Sequence, residues 1–194
     1  DDFRLTKNDG LIEATKNHDQ VVVFYLYKKL TYLNQEAQKW WLSKSLINFQ
    51  KKLSDLNINL EIIKTDSFKN FFEKLFIKKD ISIYWNKVYE PEYLKFDQYL
   101  YKNLTNKNIP FKICKGNVLN EIDEVMKNDG TPFKVFTPFW RNAEKYYIEK
   151  IPSKEKEVKK CLRKKTYFKN IIKSNEILPI KNWFKNFEKI WSPS

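Results

Sequence analysis

Short apolar runs alternate along this chain with longer segments in which apolar side chains recur at steps of three and four. Val21-Val22-Val23-Phe24-Tyr25-Leu26-Tyr27 is continuously apolar and β-branched at its start, the mark of a parallel strand covered on both faces. Leu60-Glu61-Ile62-Ile63, Ile81-Ser82-Ile83-Tyr84-Trp85 and Phe111-Lys112-Ile113-Cys114 predict further strands. Between them, Leu42, Leu46, Phe49, Leu53 and Leu56 draw one buried stripe along a helix from Glu36 to Leu56. Ser67 is placed to cap a helix burying Phe68, Phe71, Phe72, Leu75 and Phe76, and another helix is predicted from Glu92 to Asn106.

Strands alternating with helices of this length predict an α/β fold: a doubly wound, open parallel sheet of Rossmann-like type with helices on both faces. Ligands of such sheets sit beyond the carboxyl ends of the strands, which points to the loops after Tyr27 and Trp85. Asp129-Gly130-Thr131-Pro132 reads as a turn, Pro138 as a break in an aromatic stretch, and Arg141 to Lys150 as a last helix. Beyond Ile151-Pro152 the alternation stops, leaving Trp183-Phe184 and Trp191 as aromatic clusters. The expected division is an α/β domain over 1–150 and a basic interdomain linker over 151–194, whose large side chains pack against something else.

Composition removes several chemistries. With Gly10, Gly116 and Gly130 as the only glycines, neither a dinucleotide fingerprint nor a phosphate-cradling loop can be assembled. The single histidine, His18, in a polar turn, leaves no triad base and no histidine metal site. Cys114 and Cys161 are too few for a disulfide framework and read as reduced thiols. No apolar run approaches the roughly 18 to 20 residues of a membrane span, and Asp1-Asp2-Phe3-Arg4 is no leader. The expectation is a soluble, cytoplasmic monomer without a membrane partner and without a metal.

The net charge of +13 is nearly all lysine, in a chain crowded with Asn and Ile, a mixture that A/T-rich codons also produce. Its distribution is uneven: residues 151–194 hold 12 basic and 4 acidic side chains, a net of +8, and residues 1–150 hold 25 and 20, a net of +5. Solvated lysines explain the tail; a salt-dependent attraction to a phosphate backbone is the alternative.

Four blocks in order resemble the N-terminal domain of DNA photolyases and cryptochromes. They are Asp2-Phe3-Arg4-Leu5-Thr6-Lys7-Asn8-Asp9-Gly10-Leu11; Trp40-Trp41-Leu42 with Ser45-Leu46; Asn86 with Tyr89-Glu90-Pro91 and Asp97; and Gly130-Thr131-Pro132-Phe133-Lys134-Val135-Phe136-Thr137-Pro138-Phe139-Trp140-Arg141. Leu178-Pro179, Trp183 and Trp191-Ser192-Pro193 resemble the family's connector. The resemblance implies an α/β domain that houses an antenna chromophore and serves a C-terminal FAD-binding domain in cis. That domain repairs a flipped pyrimidine dimer in damaged DNA by light-driven electron donation. It also implies that FAD is not bound by this chain, that the chain alone is inactive, and that no catalytic residue lies in it. In the family an apolar central strand precedes the first block, so the expectation here is a sheet lacking that strand and a native protein with residues upstream of Asp1.

For the antenna, the resemblance singles out Glu90 as an acceptor for a chromophore amide or hydroxyl, with capping of the next helix as the plainer role. Asn86 fixes the same loop. Trp41 reads as core, with a ring platform as the alternative, and Gln38 and Lys39 face either the pocket or water. The antenna stays open among folate, deazaflavin and FMN, or an empty site. Folate-binding members carry Asn-Glu where this chain has Glu92-Tyr93, and deazaflavin-binding members often carry Asp where it has Val88. A cryptochrome-type blue-light photoreceptor and a free-standing chromophore-binding or basic nucleic-acid-binding module remain the other functional readings. The Phe136 to Arg141 stretch is expected to close the α/β core and form the hinge to the flavin domain.

Overall fold

The computed structural model describes residues 3–28, 36–78, 80–116, 118, 120–121, 123–149, 157–162, 168 and 171–191. In chain order these form α1 (Asp9–Asn17), β1 (Val22–Tyr27), α2 (Glu36–Asp55), β2 (Asn59–Lys64), α3 (Phe68–Leu75), β3 (Ile83–Asn86), α4 (Pro91–Asn106), β4 (Phe111–Cys114) and α5 (Phe136–Glu149). Short 3-10 turns follow at Ser174–Ile177, Trp183–Lys185 and Phe187–Lys189. The α/β architecture expected from the alternation is therefore the one observed.

The strands pair in two parallel ladders, β1 with β2 from Val22 opposite Asn59 to Tyr27 opposite Lys64, and β3 with β4 from Ile83 opposite Phe111 to Asn86 opposite Cys114. Alternation along each strand sends side chains to two faces. On one, Val23, Tyr25, Leu60, Ile62 and Tyr84 pack with Leu11 and Ala14 of α1 and Leu42, Leu46, Phe49 and Leu53 of α2. On the other, Phe24, Leu26, Ile63 and Ile83 meet Phe71 and Leu75 of α3, while Trp85 and Phe111 meet Leu100 and Leu104 of α4.

β2 is buried on both faces from Leu60 to Ile63, but every residue of β1 is only partly buried. The expectation that the apolar β1 run is fully covered is thus not met. β2 has β1 on one side and an isolated antiparallel bridge from Ile63 to Ile171 on the other. β1 has β2 alone among the described strands.

Local signals account for most boundaries. Ser67 Oγ accepts from the Asn70 N–H at 3.4 Å, as its capping role requires. The Asp129 carboxylate accepts from the Thr131 N–H at 2.9 Å, and Gly130 takes φ of 76°, so the expected turn is present. Two elements differ from expectation. α1 adds to the predicted elements, and Asn8 ahead of Leu11 and Ile12 is its capping signature: its Oδ1 accepts from the Leu11 N–H at 3.1 Å. α5 starts at Phe136 rather than Arg141, because Pro138 sits in the first helical turn, where the backbone N–H groups have no intrahelical acceptor. Lys150, the expected end of that helix, lies outside the described residues.

Part of the segment read as linker lies on the α/β unit. Cys161 and Ile177 join the core beneath α2, the Cys161 N–H donates to Leu56 O at 2.9 Å, and the Ile172 N–H donates to Ile62 O at 2.9 Å. Glu61, only 2% exposed, accepts from the Phe168 N–H at 3.0 Å. A buried carboxylate needs such donors, and here it fastens this strap across β2.

Candidate functional site at the carboxyl end of β3

Parallel strands present their carboxyl ends and the following loops on one edge of the sheet. At the end of β3, Asn86 joins that strand to α1. Its Nδ2 donates to Asn8 Oδ1 at 2.8 Å, and its Oδ1 accepts from the Gly10 N–H at 2.8 Å. Asn8, itself buried, also donates through Nδ2 to Arg4 O at 3.1 Å. A Cβ on Gly10 would stand 2.9 Å from Asn86 Oδ1 and 3.3 Å from the Trp85 carbonyl carbon. Glycine is needed there for close approach of α1 to β3.

The next residues are tied to the loop that follows β4. Tyr89 donates through its hydroxyl to Glu121 Oε1 at 2.6 Å, and Lys87 Nζ reaches Glu121 Oε2 at 3.0 Å. Lys115 pairs with Glu124 at 3.2 Å, and Glu124 also accepts from the Glu121 N–H at 2.9 Å. The Lys87 N–H donates to Cys114 O at 2.9 Å, and a Cβ on Gly116 would fall 1.9 Å from Lys87 O, so no side chain fits at that crossing. Burial, then the bond to Glu121, pushes the Tyr89 phenol up to about 12. Burial alone would raise the Glu121 carboxyl, but donation from Tyr89 and Lys87 outweighs it and leaves the group below its ordinary value.

Glu90 occupies the N-cap position of α4, with Pro91 opening the helix, and is exposed; its carboxylate makes no capping hydrogen bond. The capping role in the hydrogen-bonding sense is therefore absent, while an acceptor near the helix N-terminus stands open to solvent. Further along α4, Asp97 Oδ1 accepts from Trp85 Nε1 at 3.0 Å, and its buried Oδ2 has no hydrogen-bond partner. Burial raises the Asp97 carboxyl, with the Trp85 bond opposing.

The other candidates lie in the first two turns of α2. Gln38 is exposed and Lys39 partly so. The reading of Trp41 as core is overturned: it is 45% exposed, and its neighbour Trp40, at 2%, is the buried ring. Trp40 Nε1 donates to Glu188 Oε1 at 3.1 Å, and its ring meets those of Trp41, Trp183, Phe184 and Phe187 at centroid distances of 5.9 to 6.4 Å. Sequence cannot rank two adjacent tryptophans without knowing which way the helix faces. The loop after Tyr27, expected to complete the pocket, lies outside the described residues from 29 onward.

The Phe136 to Arg141 stretch does not close the core. Phe136 is 70% and Trp140 41% exposed, and the two rings stack at 6.2 Å with an interplanar angle of 12°. Two open cavities of about 500 and 470 Å³ also lie away from Glu90. The first is bounded by Lys127, Asp129, Phe133 and Asn142, the second by Ile47, Leu60, Ile62, Ile171 and Lys173. Among the described residues there is no cluster of three or more potential metal ligands, and no helix is long and apolar enough to cross a membrane.

Residues 1–157 match the family model described as DNA photolyase. Over 196 aligned residues the chain is 27% identical to the deoxyribodipyrimidine photo-lyase of Agrobacterium fabrum, covering 99% of this chain and 40% of that protein. It is 24% identical over 153 residues to cryptochrome-2 of Arabidopsis thaliana, covering 77% of this chain and 25% of that one. The crystal structure of a bacterial class III photolyase from Agrobacterium tumefaciens superposes with a TM-score of 0.80 at 26% identity, over 100% of this chain and 40% of that chain. An archaeal photolyase from Sulfolobus tokodaii, solved with two FAD molecules, shares the fold with a TM-score of 0.63 at 16% identity, over 91% of this chain and 39% of its own. The chain thus spans about 40% of each of these photolyases, and with four fifths of its length inside the family model, it belongs to the DNA photolyase family.

Proposed function

We propose that this chain is the antenna-bearing α/β part of a deoxyribodipyrimidine photolyase, a carbon-carbon lyase that repairs pyrimidine dimers in DNA with light and FAD. The observation that carries this reading is the likeness to a bacterial photolyase over 99% of the chain. The flavin belongs to a helical C-terminal domain in cis, and damaged DNA is that domain's ligand. A dimer inside the duplex cannot reach a cofactor, so the lesion is flipped out, at lower cost because it is already poorly paired. The stacked, exposed Phe136 and Trp140 on α5 support a docking face, since such rings are costly to leave in water.

In this reading the antenna, a folate, deazaflavin or FMN, lies at the carboxyl edge, where Glu90 offers a carboxylate with no capping bond to an amide or hydroxyl donor. Asn86, Tyr89 and Glu121 hold the loop that presents it. The bound chromophore would supply light absorption and energy transfer. Gln38, Lys39 and Trp41 form a second group, of which Trp41 offers an exposed ring.

A cryptochrome-type photoreceptor is the second reading, favoured by the match to cryptochrome-2. The full-length protein, incubated with an oligonucleotide carrying pyrimidine dimers, decides between them. Loss of dimers under blue light and not in the dark is expected. A flavin-loaded protein that leaves the dimers intact in both conditions overturns the repair reading.

A further inference from the structure

α1, α2, α3 and α4 lead in turn into β1, β2, β3 and β4, and the strands of each ladder are parallel. The carboxyl ends of these helices therefore gather along the amino edge of the layer, opposite the edge that carries Asn86 and Glu90. Lys16, Lys52 and Lys74 stand in the last turns of α1, α2 and α3, and Lys78 between α3 and β3; all four are exposed.

The strap brings further positive charge to the same edge. The Lys159 N–H donates to Thr15 Oγ1 at 3.1 Å, the Cys161 N–H to Leu56 O at 2.9 Å and the Leu162 N–H to Asp19 O at 2.7 Å, which pins residues 159–162 across the ends of α1 and α2. Lysines in a last helical turn complement the negative end of the helix dipole. That explanation does not reach Lys159 and Lys160, which are exposed on a segment without helix or strand. Asp19, Asp55, Asp80 and Glu157 offset part of the charge and leave the edge net positive. Two aliphatic side chains stand among these lysines: Leu162 is 62% and Ile77 81% exposed, although the adjacent Cys161 and Phe76 are buried.

We propose that this amino edge docks on an anionic phospholipid surface, with the lysines at the headgroup phosphates and Leu162 and Ile77 at the acyl boundary. A nucleic-acid backbone would satisfy the lysines and leave both aliphatic side chains in water. A lipid surface takes up both. The attachment is peripheral and needs no membrane-crossing helix, so the expectation of no membrane partner, drawn from the missing apolar span, concerns crossing alone. Because the two edges are opposite, docking leaves Glu90 open, and the proposal stands or falls apart from any antenna or flavin.

The test is co-sedimentation of the full-length protein with vesicles of mixed phosphatidylserine and phosphatidylcholine, and with vesicles of phosphatidylcholine alone. Binding about tenfold or more tighter to the first, and weakened by salt, is expected. Lys159→Gln/Lys160→Gln should lower it by about tenfold, and Leu162→Ser and Ile77→Ser by about fivefold each. Lys95→Gln, exposed on α4 toward the opposite edge, should leave it unchanged. Equal binding to both vesicle types, or binding that no amino-edge variant alters, overturns the proposal. So does loss of affinity for undamaged duplex DNA in Lys159→Gln/Lys160→Gln with vesicle binding intact, since the edge then serves a nucleic acid.

Discussion

Asn86 Nδ2 stands 2.8 Å from Asn8 Oδ1, so the last residue of β3 is bonded to the residue that caps α1, 78 positions earlier. Asn86 closes the pair by accepting the Gly10 N–H through Oδ1. Two motifs that look unrelated in sequence are one structural joint. Replacing Asn86 by Ala leaves the Gly10 N–H without this acceptor and Asn8 without this donor, a loss of about 1–3 kcal/mol. Gly10→Ala is expected to destabilise through steric contact with Asn86 Oδ1 and the Trp85 backbone. Urea unfolding of both variants checks this; unchanged midpoints would show that the joint carries no stability.

Tyr89 and Glu121 give the fold a pH signature. Tyr89 titrates at about 12 in the folded chain against 10.0 for a free phenol, so its contribution is full below pH 10 and fades as pH rises toward 12. Glu121 is held below its ordinary value, so its contribution is present above the usual carboxylate range and is lost as pH falls through the depressed value. Tyr89→Phe should cost about 0.5–1.5 kcal/mol near neutrality and flatten the alkaline limb. Stability measured between pH 7 and pH 12 for both proteins shows whether the limb belongs to this pair. The Lys87 ion pair is partly exposed and adds less.

Trp40 and Trp41 should behave oppositely. Trp40→Ala empties a site that is 2% exposed and is expected to cost about 3–5 kcal/mol. Trp41→Ala, at 45% exposure, should change stability by only about 0.5 kcal/mol. Equal losses in thermal or urea unfolding would contradict the assignment of burial to the first ring.

Glu61 is expected to hold the strap at Phe168. Glu61→Ala removes the acceptor of the Phe168 N–H and should destabilise the chain by about 1–3 kcal/mol. Limited proteolysis of the variant should then cut at Lys159, Lys160 and Lys173 faster than in the parent, with β2 itself little affected. Identical cleavage rates would place the strap's anchorage elsewhere.

The α/β alternation, the Ser67 cap and the turn at Asp129 were legible because each is written in a few adjacent residues. α5 starts five residues before the expected Arg141 because Pro138 reads as a breaker unless the first helical turn is known. The joint at Asn86 was only half legible: Asn8 carries a capping signal, but its pairing with Asn86 requires α1 to lie against β3. Glu121 carried no local signal at all. It is brought to Tyr89 by the chain's return through β4, and the close passage of Gly116 over Lys87 O is a property of the fold rather than of the sequence nearby. The half-buried state of β1 was also beyond sequence reading, since apolar composition reports what a strand prefers and not whether a neighbour is present.

An antenna at the carboxyl end of β3 is checked by the action spectrum of dimer repair, comparing the full-length protein with its Glu90→Ala variant. The variant is expected to keep repair in the flavin's own absorption band and to lose the additional band that the antenna supplies. Superimposable spectra, each with that additional band intact, would contradict it.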